Sequence, residues 1–149
     1  MPTDFLPILD ALRGLKSSGP HGFEGLVRDA LEVVCGHRLH LVKSGPQKGK
    51  DIFGEEREGL PRIAVEAKKF EARTHLALDE MKEKLREAAE ADAIDTWGIA
   101  LSKEMVEPDW SEIVDLASEL GITPIALDWR DAPGTMPVLA ALVAVAFEV

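Results

Sequence analysis

One cysteine, Cys35, stands in 149 residues, so no internal disulfide can form. A lone thiol fits a reducing, cytoplasmic setting, and its place on an apolar helix face before Gly36 reads as a small core residue. With His21, His37, His40 and His75 it makes no paired zinc spacing of the C-x2-C or H-x3-H kind. Signatures for a Ser-His-Asp or Cys-His nucleophile are missing, and so is a G-x-x-x-x-G-K-S/T phosphate loop. Gly45-Pro46-Gln47-Lys48-Gly49 matches neither nucleotide fingerprint, which disfavours an ATPase. No basic leader followed by an apolar run opens the chain, so secretion is not expected. The longest apolar run, 138–147, is too short to span a bilayer, so no membrane partner is expected. Positive charge is also scarce: 17 Lys and Arg against 27 Asp and Glu leave a net −10, which argues against DNA binding by bulk electrostatics.

What is present is an ordinary globular composition, 46% hydrophobic and 30% charged, and a length expected to make one domain burying about two-thirds of its unfolded surface. The informative stretch is 49–69, GKDIFGEEREGLPRIAVEAKK. Ile52-Phe53 and Ile63-Ala64-Val65 read as two strands of a hairpin around a Gly- and charge-rich turn at 54–61. Strand periodicity sends Ala64, Glu66 and Lys68 to one face and Ile63, Val65 and Ala67 to the other, which belongs to the core. Glu66 and Lys68 then stand about 7 Å apart along the strand, and Asp51 at the start of the partner strand brings a second carboxylate beside Glu66.

A strand entering the core is a costly place for such charges. Two close carboxylates repel, and a divalent cation with oxygen ligands, Mg²⁺ or Mn²⁺, stabilises them as a pair. Such a cation offsets charge on a phosphate, while Lys68 orients or helps deprotonate an attacking water. Asp51, Glu66 and Lys68 thus read as a phosphodiesterase centre, with Asp51 and Glu66 as the metal ligands. The Ala67 carbonyl is a candidate further ligand. A second Glu-x-Lys, Glu80-Met81-Lys82, falls on a predicted helix and reads as a solvated face. Gln47 and Lys48, at the tip of a Gly-rich turn, are candidate contacts to a phosphate or base edge, though Gly and Pro alone also explain a plain turn.

The D-x(14)-E-x-K pattern after a helix resembles the PD-(D/E)XK nuclease superfamily, with the restriction-endonuclease-like fold. Gly22-Phe23-Glu24-Gly25-Leu26-Val27, Leu31, Gly36 and Ser44-Gly45-x-Gln47-x-Gly49-x-Asp51 are similar to the Mrr-like restriction endonuclease branch, over residues 20–128. Lys50 replaces the proline that names the superfamily, and Glu66 stands where that branch often has Gln. The resemblance implies an endonuclease acting on DNA, in a bacterial restriction or anti-phage role. It also implies that Glu24 reaches the metal site from its helix or orders water there. Without the resemblance, Glu24 reads as a first-turn acid favoured by the helix dipole.

Periodicity along the rest of the chain predicts helices at 4–16, 23–35 and 76–91, with Phe23, Leu26, Val27, Ala30, Leu31 and Val34 as the stripe of the second. The third turns Leu78, Met81, Leu85 and Ala88 inward and carries Glu80→Lys84 as i,i+4 support. Strands are expected at 39–43, 95–101 and 122–127, with a capping box at Asp109 opening a helix that ends at Gly121. The order α-α-βββ-α-β-α-β describes an α/β fold, a mixed sheet flanked by helices with a parallel crossover. After a linker at 130–134, an apolar helix at 136–149 must be buried, on this domain or against a partner. The ending suggests the effector domain of a larger protein.

Lys43, Lys48, Lys50, Lys68, Lys69 and Arg73 form an expected basic rim, while acids crowd 79–95 and 104–119. Alone, such a domain binds DNA weakly, so a homo-oligomer or a further domain is expected to supply affinity. The rival reading is a catalytically inactive nuclease-fold module for DNA binding or oligomerisation. A third is an interaction domain whose acidic helices bind a basic partner.

Overall fold

The computed structural model describes residues 11–12, 14–15, 22–36, 38–41, 51–54, 62–68, 76–129 and 137–147. Most of the first expected helix, the Gln47–Lys48 turn tip, and Lys43, Lys50, Lys69 and Arg73 lie outside these residues. The described elements are α1 (Phe23–Cys35), β1 (His40–Leu41), β2 (Ile52–Gly54), β3 (Ile63–Lys68) and α2 (Leu78–Asp92). They continue with β4 (Thr96–Leu101), α3 (Glu107–Leu120), β5 (Thr123–Leu127) and α4 (Val138–Phe147).

The five strands form one mixed sheet in the order β1-β2-β3-β4-β5. β1 and β2 pair antiparallel, as do β2 and β3, whereas β3–β4 and β4–β5 are parallel. Antiparallel neighbours follow directly from the hairpin, and parallel neighbours require the crossover helices α2 and α3.

Two apolar clusters lie on opposite faces of this sheet. One gathers Phe23, Val27, Ala30 and Leu31 of α1 and Leu139, Ala140 and Leu142 of α4 against Ile52, Val65, Ala67 and Ala100. The other gathers Met81, Leu85 and Ala88 of α2 and Ile113, Leu116 and Ala117 of α3 against Phe53, Ala64, Trp97, Ile99 and Leu101. The expected alternation of β3 is present, and both of its faces are covered. Central β4 is buried along its whole length, as a parallel strand between two helical layers must be.

Three expectations are corrected. Cys35 is exposed, and Val34 is nearly half exposed, because the buried stripe of α1 ends at Leu31. The helix α3 begins at Glu107, with Val106 as an N-cap lacking a side-chain bond and Pro108 in the first turn, so Asp109 is inside the helix. Pro108 sets the start because its fixed φ suits the first helical turn and its missing N–H costs nothing there. Finally, Glu80 does not serve mainly as helix support for Lys84; its carboxylate meets Lys68 of β3. The glycine terminators fare as expected: Gly36 and Gly121 close α1 and α3 at φ 66° and 72°, conformations that suit a residue without Cβ. The apolar α4 packs on α1 and the sheet, although Val138 at its start stays open. Among the described residues no helix is long and apolar enough to cross a membrane.

Candidate active site

Glu66 sits in the middle of β3, between Ala64 and Lys68 on the α2–α3 side of the sheet. Its cross-strand neighbour on β4 is Ile99, so apolar surface walls it on that side. On the other side stands Asp51, immediately before β2. Asp51 N–H donates to the Val65 carbonyl at 2.9 Å, although Val65 is already the register partner of Ile52, so the ladder ends at Asp51 in a bulge-like step. Asp51 nonetheless lies beside Glu66, whose ionisation its charge opposes.

Both carboxylates are buried, Asp51 at 4% exposed and Glu66 at 1%. Asp51 Oδ2 accepts the Ala67 backbone N–H at 2.9 Å. Lys68 Nζ lies 3.5 Å from Glu66 Oε1 and 3.6 Å from Glu80 Oε1 of α2. Glu66 Oε2 has no hydrogen-bond partner, although it is buried. The burial of Asp51 raises its carboxyl above the usual range, against the pull of the Ala67 N–H and of Lys68 and Lys84. Glu66 is raised to about 7, chiefly by burial and then by the adjacent Asp51 charge, with Lys68 and Lys84 opposing. Removing carboxylates from water disfavours their charged form, and a like-charged neighbour adds to the effect.

This donor set fits a divalent cation. Two hard oxygen donors face each other, one buried oxygen lacks any partner, and the pair is under-compensated by protein cations alone. The arrangement binds positive charge at one end and presents the Lys68 ammonium at the other. It is therefore suited to an anion that bridges the two.

Asp51, Glu66 and Lys68 are thus brought together as the sequence predicts. Glu24 is buried on α1. The apolar neighbours of Glu24, Phe23 and Val27, belong to the cluster on the Val65–Ala67 face, opposite Glu66. Among the described residues no three His, Cys, Asp or Glu side chains gather as a metal-holding group. The sequence reading missed Glu80 and Lys84. Each precedes an inward residue of α2, Met81 or Leu85, by one position, about 100° round the helix. That places both on the flank of the buried face, a signal visible in the periodicity once β3 is known to run beneath. No protein-family model matches the chain, and no curated protein or solved structure gives a match.

Proposed function

We infer that this chain is a divalent-metal-dependent endodeoxyribonuclease, a PD-(D/E)XK protein of the Mrr-like branch with the restriction-endonuclease-like fold. The observation that carries the reading is the buried Asp51–Glu66 pair, with its orphaned Glu66 Oε2 and Lys68 Nζ 3.5 Å from Oε1. A purely structural role has no use for two facing buried carboxylates. The three-strand antiparallel run followed by two parallel strands supports the same reading, since it agrees with the architecture that the resemblance implies.

Asp51 and Glu66 hold Mg²⁺ or Mn²⁺, which when bound offsets the charge that builds on the phosphate and makes water more acidic. The Ala67 N–H fixes the Asp51 carboxylate. Within a strand the N–H and C=O of one residue point to the same side, so the Ala67 carbonyl also faces Asp51 and adds an oxygen donor there. Lys68 orients the attacking water and stabilises negative charge on the phosphate oxygens. The water oxygen bonds to phosphorus, one P–O ester bond breaks, and the products are a phosphate monoester and a free hydroxyl. Gln47 and Lys48 contact the DNA, and Glu24 supports the centre from α1 by ordering water. With a net −10, affinity for DNA comes from a homo-oligomer or a further domain. A bacterial restriction or anti-phage role rests on family analogy alone.

Plasmid cleavage with Mg²⁺ or Mn²⁺ tests the reading, comparing wild type with Lys68→Ala. Nicking or linearisation that disappears in the variant and in EDTA is expected. Cleavage that persists in Lys68→Ala removes the site assignment. Silence of both proteins, with no Mn²⁺ binding by wild type, favours the inactive nuclease-fold module instead.

A further inference from the structure

Two residues of α2 stand beside the three-residue centre. Glu80, in the first turn, reaches Lys68 at 3.6 Å. Lys84 follows one turn later on the same helix face and is half-buried. The other basic residues of α2 are occupied: Lys82 pairs with Glu112 at 3.4 Å and Arg86 with Glu83 at 3.5 Å. Lys84 makes no ion pair among the described residues. Its spacing from Glu80, whose carboxylate reaches Lys68 of β3, sets it on the flank of α2 beside the centre.

A half-buried lysine beside the centre, with no ion pair among the described residues, is suited to an anion that arrives later. Formal charge says what that is. Once a divalent cation neutralises Asp51 and Glu66, Glu80 balances one of the two lysines, and a single positive charge is left. One phosphodiester group carries the single negative charge that matches it. A phosphate monoester, with close to two charges, or a neutral ligand does not.

We propose that Lys84 is a substrate-binding residue of this centre, its ammonium taking a non-bridging oxygen of the phosphodiester from the α2 side while Lys68 approaches from β3. The proposal rests on the phosphodiesterase reading above. It assigns α2 as one wall of the substrate channel. The phosphate then lies between β3 and the first two turns of α2.

The test uses the full chain as wild type, Lys84→Ala, Lys84→Arg and Lys82→Ala. Mn²⁺ binding is measured by calorimetry, and binding of a short labelled DNA duplex by anisotropy in Ca²⁺ across a salt series. Lys84→Ala is expected to bind Mn²⁺ severalfold more tightly, because a competing positive charge is gone. It binds the duplex about tenfold more weakly, with a salt slope lower by about one. The change to arginine restores duplex affinity, and Lys82→Ala alters neither quantity. The opposite signs are what a merely structural lysine cannot produce. If Lys84→Ala binds the duplex like wild type with an unchanged slope, the proposal is overturned and the phosphodiesterase reading stands. Parallel loss of both affinities with a lower melting temperature also overturns it. A wild type that binds neither Mn²⁺ nor duplex sinks the phosphodiesterase reading, and the role of Lys84 with it.

Discussion

Ala67 donates its backbone N–H to Asp51 Oδ2 at 2.9 Å, so the strand that carries Glu66 also aims the carboxylate opposite it. One peptide group thereby couples the two acids. Asp51→Asn keeps an oxygen acceptor for that N–H and removes the charge. Its melting temperature should equal or exceed that of wild type, while Mn²⁺ binding disappears in calorimetry. Asp51→Ala instead leaves a buried N–H without a partner, at a cost of about 1–3 kcal/mol in urea unfolding. Equal destabilisation by both variants would show that the hydrogen bond is unimportant.

Glu66 titrates near 7 against an ordinary 4.5, and this has a sign. The folded protein holds a proton that the unfolded chain has already released between those two values, so this group's contribution to stability falls as pH rises from 4.5 to about 7. Glu66→Gln should remove that slope and stabilise the metal-free protein above pH 7 by on the order of a few kcal/mol. Denaturant midpoints across the pH range measure it. The cation competes with the same proton, so Mn²⁺ affinity should climb with pH and level off above about 7.

Glu80 is half exposed, so its pairing with Lys68 is worth little to the fold. Glu80→Gln should leave the melting temperature within a degree or two, since surface changes of this kind fall within about 0.5 kcal/mol. Cleavage should nonetheless slow severalfold at unchanged KM, because Lys68 is then held by Glu66 alone. A raised KM with normal kcat would instead assign Glu80 to substrate binding.

Ala93, just past α2, adopts φ 48°, a left-handed conformation that strains a residue with a Cβ. Ala93→Gly should therefore stabilise the protein by about 0.5–1 kcal/mol, read from the urea midpoint with unchanged slope. A neutral or lower midpoint would mean that the added freedom of the unfolded glycine outweighs the relief.

Cys35 is exposed, and so a thiol reagent should label it fully in the native protein without denaturant. Labelling only after unfolding would return it to the core.

The strands were legible because side chains on β3 alternate in direction: a period of two separates Glu66 from Val65 and Ala67 whatever the rest of the chain does. Asp51 was legible from its place directly before Ile52, whereas the irregular step that its N–H makes to Val65 was not. Glu80 and Lys84 were not, since the strand beside them lies more than ten residues away in the chain and nothing in a helix repeat says which flank faces a strand. The end of the α1 stripe escaped for a related reason. Val34 and Cys35 keep the helical phase, but the layer beneath them has run out, and periodicity carries no information about where a neighbour stops. At α3, Asp109 and Glu112 imitated a capping box, while Pro108 had already set the helix start at Glu107.

The sheet's uneven pairing has a consequence for motion. Among the described residues, β1 meets β2 through two residue pairs and β2 meets β3 through three, whereas β3 and β4 share six. Short ladders open locally at low cost, and long buried ones open only with the whole molecule. Asp51 rides on the lightly fastened side and Glu66 on the firmly fastened one. A cation gripping both is a rivet across that boundary. Amide exchange at Ile52 and Phe53 should slow sharply on adding Mn²⁺, while Ile99 and Ala100, already at the ceiling set by global unfolding, should follow only the rise in overall stability.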